Sequence, residues 1–265
     1  MGDFALLGPE LLTNGGFETG AATPWAVADA VASDVYVTDD YPYSGVYHAW
    51  FEASDSAGTK LEMYQSGITI PQSGANFILT AAIAPDNGSY HAVQINSYGM
   101  DVTTFTPLTT SNDSWHMYGW TFDSIAAGGG GATLKFTMPQ FDPYEELWDA
   151  ISLRQRIVLS PGLAYKKARM LDRSHQRTVD GTLHTYTGSF SGTRFEIPLT
   201  WLSSAYAADV TSWWETGADL RFYEDDSYPA SFHAVRIVGD QSPFQQYQRP
   251  YPDQYLTGKI TLVTL

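Results

Sequence analysis

The chain has 265 residues, 43% of them hydrophobic, which allows two domains with a buried core in each. It carries a formal net charge of −15 at pH 7 and contains no cysteine. The charge disfavours nucleic acid as a partner, and the lack of thiols excludes disulfides and cysteine-bound zinc.

The first 154 residues form a series of short predicted strands. Residues 1–12 contain neither a basic region nor a sustained apolar run, so we expect no signal peptide, synthesis in the cytosol and no membrane insertion. Asn14-Gly15 predicts a tight turn. The strands predicted after it are Trp25–Val31, Val35–Thr38, Val46–Ala53, Leu61–Ile70, Phe77–Ala84, His91–Tyr98, Trp115–Phe122, Ala132–Met138 and Leu147–Leu153. This spacing is typical of a β-sandwich.

Several motifs of this half resemble those of the jelly-roll carbohydrate-binding modules. The resemblance covers residues 8–154, and its motifs are Asn14-Gly-Gly-Phe-Glu18, Trp25, Ser44-Gly-Val-Tyr47, Gln65 with Ile68 and Ile70, Phe77-Ile-Leu-Thr80 and Trp148-Asp-Ala-Ile-Ser-Leu153. It implies a non-catalytic β-sandwich that binds glycans, commonly in a concave groove, and that often holds one structural calcium ion.

The resemblance also implies that Glu18 and Asp149 are side-chain ligands of that calcium ion, together with backbone oxygens. Carboxylates from two distant strands suit calcium and would join the first strand to the last. Many of these modules have a second acidic residue where this chain has Ala150. The alternative is that Glu18 and Asp149 are polar strand ends that accept backbone hydrogen bonds without a metal.

Glycan binding requires exposed aromatic rings, because a sugar ring stacks its C–H face on a π system beside polar groups. The aromatic candidates are Trp50, Tyr64, Tyr90 and Trp148, and their candidate polar neighbours are His48, Gln94 and Asn96. The alternative for each aromatic residue is packing in the core, because the sequence does not establish the strand register.

The distribution of charge predicts a domain boundary between residues 154 and 155. Residues 1–154 hold 3 basic and 18 acidic side chains, a net charge of −15, whereas residues 155–265 hold 11 of each, a net charge of zero. We therefore predict an acidic domain over residues 1–154, suited to exposure, and a neutral domain over residues 155–265, suited to burial in an assembly.

The second domain is predicted to be β-rich with one short helix near residues 203–216. Ser203 or Ser204 can cap the start of this helix, and Gly217 can end it in the left-handed conformation. Its apolar face is predicted to carry Tyr206, Val210, Trp213 and Trp214. The predicted strands are Leu163–Leu171, Gln176–Val179, Thr182–Tyr186, Thr193–Thr200, Leu220–Tyr223, Phe232–Val238 and Leu256–Leu265, with a long loop over residues 241–254.

In the order of these elements and in their aromatic residues, residues 175–265 resemble the small β-rich domains of tail-tip and distal-tail proteins of tailed phages. The resemblance implies a symmetric ring of copies, in which the loop or the terminal strand adds to a neighbour's sheet edge. The candidate interface residues are Trp213, Trp214, Phe244, Tyr247 and Tyr251.

These features predict a structural protein of a tailed-phage virion, located in its tail or tail tip. The neutral domain would contact copies of itself and other tail proteins, and the acidic domain would bind a host cell-surface glycan and aid adhesion. The alternative is a non-catalytic carbohydrate-binding protein, or the binding part of a secreted glycosidase. No carboxylate pair, histidine metal motif or nucleophile motif indicates an enzyme.

Overall fold

The structure is a computed structural model that describes residues 3–28, 33–53, 61–70, 75–85, 90–97, 100–107, 114–125, 131–138, 144–159, 165–177, 183–245 and 255–265. The chain forms two compact units. We call residues 10–156 and 227–230 the sandwich unit, and residues 1–9, 157–226 and 231–265 the helix unit. No helix in the described ranges is long and apolar enough to cross a membrane.

The described elements are antiparallel strands and one helix, which confirms the predicted all-β fold with a single short helix. In chain order they are β1 (Phe4–Glu10), β2 (Ala26–Ala28), β3 (Ser33–Thr38), β4 (His48–Ala53), β5 (Leu61–Ile68), β6 (Ala75–Pro85), β7 (Tyr90–Ser97), β8 (Met100–Pro107), β9 (His116–Ile125), β10 (Ala132–Met138), β11 (Tyr144–Leu159), β12 (Lys166–Arg177), β13 (Leu183–Ser203), α1 (Ser204–Thr216), β14 (Leu220–Tyr223), β15 (His233–Ile237), β16 (Phe244–Gln245) and β17 (Tyr255–Thr264).

The sandwich unit is a jelly-roll β-sandwich of two sheets. The first, which we call the β11 sheet, has the strand order β3-β4-β11-β6-β9, and the second, the β10 sheet, has the order β2-β5-β10-β7-β8. Alternate residues of each strand face the core, as the period of a strand requires. The ring centroids of Phe136 in β10 and Trp148 in β11 lie 4.5 Å apart, so the two sheets pack directly on each other.

The core of the sandwich unit consists of the inward-facing apolar side chains of both sheets. Its largest members include Phe17, Phe51, Phe77, Phe122, Phe136 and Trp148, all with at most 1% of their surface exposed. Burial of side chains of this size contributes roughly 1.5–3 kcal/mol each relative to exposure. This core therefore holds the outer faces of both sheets in fixed positions.

The helix unit contains a sheet with the strand order β12-β13-β17-β15-β14-β1 and the helix α1. Ser203 caps α1, because its side chain accepts a hydrogen bond from the Tyr206 backbone N–H, and Gly217 ends it with φ 63°. The buried face of α1 carries Ala207, Val210 and Trp213. The helix boundaries and caps agree with those predicted from the sequence.

Three elements differ from the sequence-based prediction. Residues 4–10 form β1, which pairs with β14 and so belongs to the helix unit, whereas the predicted boundary grouped them with the first domain. Residues 100–107 form β8, which was not predicted. Residues 183–203 form one continuous strand where two were predicted. β1 pairs with β14, a strand distant in sequence that local patterns do not reveal, whereas β8 pairs with the adjacent strand β7 and β13 pairs with both the adjacent β12 and the distant β17.

Candidate functional site

Glu18 and Asp149, the two predicted metal ligands, come together around one loop. Asp149 in β11 accepts a hydrogen bond from the Ser44 backbone N–H at 2.8 Å, and both carboxylate oxygens of Glu18 accept from the Val46 N–H at 3.1 Å. The intervening Gly45 has φ 69° and lies against the Glu18 carboxylate. The two acids therefore hold residues 43–46, which we call the carboxylate-bound loop.

The local backbone that presents these acids is strained. Three described non-glycine residues have positive φ, and two of them, Phe17 and Ala150, directly adjoin Glu18 and Asp149. Ala150 lies at a register shift in β11, where the Ile151 N–H donates to the Gly15 carbonyl at 2.9 Å. Strain of this kind costs on the order of 1–3 kcal/mol per residue and persists where the surrounding structure enforces it.

Asp149 is fully buried, and burial raises the pKa of its carboxyl to about 6. Hydrogen bonds from the Ser44 and Ala150 backbone lower the pKa, whereas the Glu18 charge raises it further. Two like charges held close together in a partly desolvated place favour a cation between them. The two carboxylates fit the hard-oxygen preference of calcium.

Tyr64 lies on the outer face of the β10 sheet, among polar residues. Its strand neighbour Met63 faces the core, so Tyr64 faces outward and is half-buried. It is paired in register with Lys135, whose ammonium lies 3.2 Å from the Glu62 carboxylate. Lys135 is paired in turn with Gln94. The structure thus brings one predicted aromatic residue and one predicted polar neighbour into a single row of the sheet.

Asn96 extends this row to the next position, since it pairs with Thr133, two residues before Lys135. We call the surface formed by Glu62, Tyr64, Thr133 and Lys135 the β10 face. Lys135 and Glu62 neutralise each other, so the face presents hydrogen-bonding groups beside an aromatic ring without a large local charge.

Trp50 and His48 share the outer face of the β11 sheet, because Ala49 and Phe51 between and beyond them are buried in the core. Trp50 is half-buried and is paired in register with Tyr36 of β3. His48 is 1% exposed and packs edge-on against Trp115, with ring centroids 5.8 Å apart. These two predicted residues are therefore neighbours, but on a different sheet from Tyr64.

The other two predicted aromatic residues do not add to either face. Trp148 is completely buried between the sheets, where its ring packs on Phe51 and Phe136, so the prediction that it is an exposed platform is wrong. Its place in the core follows from strand alternation, because its neighbour Leu147 pairs with the outward-facing Trp50. Tyr90 begins β7, and its side chain lies outside the described part of the chain.

Three of the candidate assembly residues, Trp213, Trp214 and Phe244, lie in or near the core of the helix unit. Trp213 is buried, and Trp214 is half-buried, with its Nε1–H donating to the Gly239 carbonyl at 3.0 Å. Phe244 packs against the same core from β16, which pairs with β17. Tyr247 and Tyr251 lie outside the described residues.

The terminal strand β17 pairs with both β13 and β15 of its own unit, so the expectation that it adds to a neighbour's sheet edge is wrong. A β-strand has two hydrogen-bonding edges, and the same chain occupies both edges of β17 along part of its length. Assembly through a sheet edge therefore requires a different strand.

Sequence reasoning missed Tyr43, Trp115, Glu62 and Lys135. Alternation within β5 and β10 could have placed Glu62 and Lys135 on the outer face, but their approach depends on the pairing of those strands. Tyr43 and Trp115 are 72 positions apart in the sequence, and their ring contact follows only from tertiary structure.

No protein-family model and no curated protein matches the chain. Among solved structures, TmCBM61 in complex with β-1,4-galactotriose is 20% identical, with 55% of this chain and 98% of that chain covered and a TM-score of 0.45. The CBM22-1 xylan-binding domain of Paenibacillus barcinonensis Xyn10C is 14% identical, with 56% and 95% covered and a TM-score of 0.41. The enzymatically active domain of bacteriophage CBA120 tailspike protein 4 is 11% identical, with 55% and 21% covered and a TM-score of 0.42.

Replacing Gly45 with alanine should displace the carboxylate-bound loop. A Cβ at this position would lie 1.9 Å from Glu18 Oε1, and φ 69° is unfavourable for alanine. We expect the free energy of unfolding to fall by about 1–3 kcal/mol, measured by urea denaturation. Gly16→Ala is the matched control, because its Cβ would meet no atom closer than 3.7 Å. Equal stability of the two variants would contradict this role of Gly45.

Proposed function

We propose that the sandwich unit binds a neutral glycan, without catalysis, on the β10 face. The observation that carries this proposal is the position of Tyr64 on the outer face of the β10 sheet, paired in register with Lys135 and beside the Lys135–Glu62 ion pair. An aromatic ring offers a stacking surface for the C–H face of a sugar, and the adjacent charged and polar groups offer donors and acceptors for its hydroxyls. The resemblance of residues 8–154 to the carbohydrate-binding modules supports the same role.

The charge of the unit favours a neutral ligand over an anionic one. Residues 1–154 carry a net charge of −15, and Lys135, the one basic side chain of the β10 face, is paired with Glu62. A sulfated or uronic-acid glycan would meet repulsion from this unit at low ionic strength. A neutral oligosaccharide meets no such penalty.

We also propose that Glu18 and Asp149 hold a calcium ion. Both carboxylates already accept hydrogen bonds from the carboxylate-bound loop, and burial, with a smaller contribution from the Glu18 charge, raises the pKa of Asp149 to about 6. A bound calcium ion would neutralise the two charges and link the Phe17–Glu18 turn to the closing strand β11. Its role would be structural.

A second proposal concerns the setting of the protein: the helix unit assembles with copies of itself in the tail of a tailed-phage virion. The observation that favours assembly is β12, which ends the described strand order with β13 as its described neighbour. Residues Lys166–Arg169 of this strand are exposed. A strand at the edge of a sheet can form backbone hydrogen bonds with a strand of another chain. On this proposal the protein is made in the host cytosol and carries its sandwich unit outward to a host glycan; the alternative is a free-standing carbohydrate-binding protein.

Tyr64→Ala should weaken binding of neutral oligosaccharides on the β10 face roughly tenfold, because aromatic stacking contributes about 1 kcal/mol or more. Tyr64→Phe should retain most of the affinity, since it keeps the ring. Isothermal titration with xylohexaose and β-1,4-galactotriose measures both effects. The control is Tyr228→Ala, which removes a tyrosine that is 64% exposed in the same unit. Affinities unchanged by Tyr64→Ala would refute binding on this face.

Calcium should raise the unfolding temperature of chelator-treated protein. At a calcium concentration about 100 times Kd the gain is about 2.7 kcal/mol, which differential scanning calorimetry resolves. Glu18→Gln and Asp149→Asn should each abolish most of the gain, whereas Glu62→Gln, which changes a carboxylate in an ion pair elsewhere in the unit, should leave it intact. A gain of equal size in all variants would place the calcium elsewhere.

Light scattering on the purified chain should give the mass of an oligomer, at least twice the mass of the monomer. Antibody labelling in electron micrographs should place the protein in phage tails. Ala168→Lys adds a charge to the exposed part of β12 and should reduce the assembled fraction. Ala208→Lys, at an exposed position of α1, should not. A monomer at every concentration would favour the free-standing carbohydrate-binding protein.

A further inference from the structure

We propose a second binding site for neutral glycan, on the outer face of the β11 sheet, formed by Tyr43 and Trp115. Their ring centroids lie 5.9 Å apart with planes inclined at 55°. Tyr43 is 39% exposed and Trp115 is partly exposed. At this spacing the two rings pack on each other, and their exposed faces together offer a stacking surface to the C–H face of a sugar ring. This pair is separate from the β10 face, which lies on the other sheet of the sandwich.

Trp115 is held in position by contacts on two sides. Its indole Nε1–H donates to the Tyr41 carbonyl at 3.0 Å, and its ring receives the edge of the His48 imidazole, inclined at 85°. An aromatic platform fixed in advance loses little conformational entropy when a ligand binds. The indole is therefore positioned as a stacking surface before any ligand arrives.

The burial of the His48 imidazole beside Trp115 is unfavourable for the stability of the unit. Its side chain is 1% exposed, and neither ring nitrogen has a hydrogen-bond partner among the described residues. Burial lowers the pKa of His48, with Asp40 acting in the opposite direction, so the neutral imidazole is favoured. A buried polar group without a partner is destabilising, and such groups are retained most often where function requires them. Its described aromatic contact is Trp115.

The carboxylate-bound loop sets the position of Tyr43. Asp149 accepts hydrogen bonds from the backbone N–H groups of Ser44 and Tyr43, and Glu18 accepts one from the backbone N–H of Val46. The backbone on the C-terminal side of Tyr43 is thus fixed to β11 and to the Phe17–Glu18 turn. Both rings of the proposed site are consequently attached to rigid parts of the sandwich unit.

The chemistry of the surroundings favours a neutral sugar. Asp39 and Asp40 are exposed beside the site, and the Thr38 hydroxyl donates to Asp40 at 3.2 Å. Tyr41 is 73% exposed in the same loop. Carboxylates accept hydrogen bonds from sugar hydroxyls and repel anionic ligands, whereas an apolar protein segment would leave them desolvated and unpaired. A polyhydroxylated ring without charge satisfies both the aromatic and the acidic groups.

Isothermal titration of the full chain with xylohexaose, β-1,4-galactotriose, cellohexaose and mannohexaose at millimolar concentrations tests the site. This inference is independent of the β10 face, so the titration is done in wild-type protein and in Tyr64→Ala. We expect Tyr64→Ala to retain one site, and the addition of Tyr43→Ala or Trp115→Ala to weaken that site roughly tenfold. Trp115→Phe should retain most of the affinity, and Tyr228→Ala should have no effect.

The outcomes separate the two sites. Loss of all binding in Tyr64→Ala, or residual binding that neither Tyr43→Ala nor Trp115→Ala weakens, overturns the second site alone. Binding that depends on Tyr43 and Trp115 but not on Tyr64 supports the second site and overturns the β10 face. No binding of any of the four sugars to wild-type protein overturns both. Tyr43→Ala keeps the test valid if Trp115→Ala fails to fold, because Tyr43 is on an exposed loop.

Gly45→Ala adds a readout of positioning, because it displaces the loop without changing either ring. It should weaken the Tyr43–Trp115 site and leave the β10 face at its wild-type affinity. If both sites of Gly45→Ala bind sugar with wild-type affinity, the loop does not position Tyr43, and this result counts against the site as described.

Discussion

In the sandwich unit, the position of Tyr43 depends on one constraint, the binding of residues 43–46 by two carboxylates. Glu18 comes from the first turn of the unit and Asp149 from its closing strand, and both accept hydrogen bonds from backbone N–H groups of residues 43–46. Burial raises the pKa of Asp149 to about 6, and the nearby Glu18 charge raises it further. The backbone N–H groups offset part of this rise, and a cation would offset more.

The core gives this arrangement its rigidity. Phe136 and Trp148 pack at 4.5 Å between the two sheets, and strand alternation then leaves Tyr64 on one outer face and Trp50 and His48 on the other. A jelly-roll sandwich thus offers two surfaces of different composition. The β10 face has one ring among paired charges, whereas the β11 sheet carries a fixed Trp115 beside Tyr43 and exposed acids. On the proposed glycan binding and assembly, two sites per chain and several chains per particle would bind a surface glycan with avidity.

Predictions that depended on local sequence were accurate. The helix Ser204–Thr216, its Ser203 cap and its Gly217 end follow from capping chemistry over a few residues, and the strands follow from alternation. Grouping Glu18 with Asp149 came from a motif resemblance, and in the structure both carboxylates accept hydrogen bonds from the same loop. Predictions that needed a strand register were less accurate. Trp148 was a candidate surface ring, with core packing as the alternative, and it lies in the core. The terminal strand was one of two segments expected to add to a neighbour's sheet edge, and β17 pairs with two strands of its own unit.

The sequence by itself determined the β-rich class, the single helix with its caps, the acidic first half and the residue types available for stacking and for metal binding. These properties depend on composition and on neighbours within one turn or one strand, where propensity and alternation operate. Only the tertiary structure decided that residues 4–9 belong to the helix unit, that Trp148 is buried, and that Trp115 contacts both Tyr43 and His48. The reason is that strand pairing joins segments distant in the chain, and a shift of one residue in register moves every side chain to the opposite face.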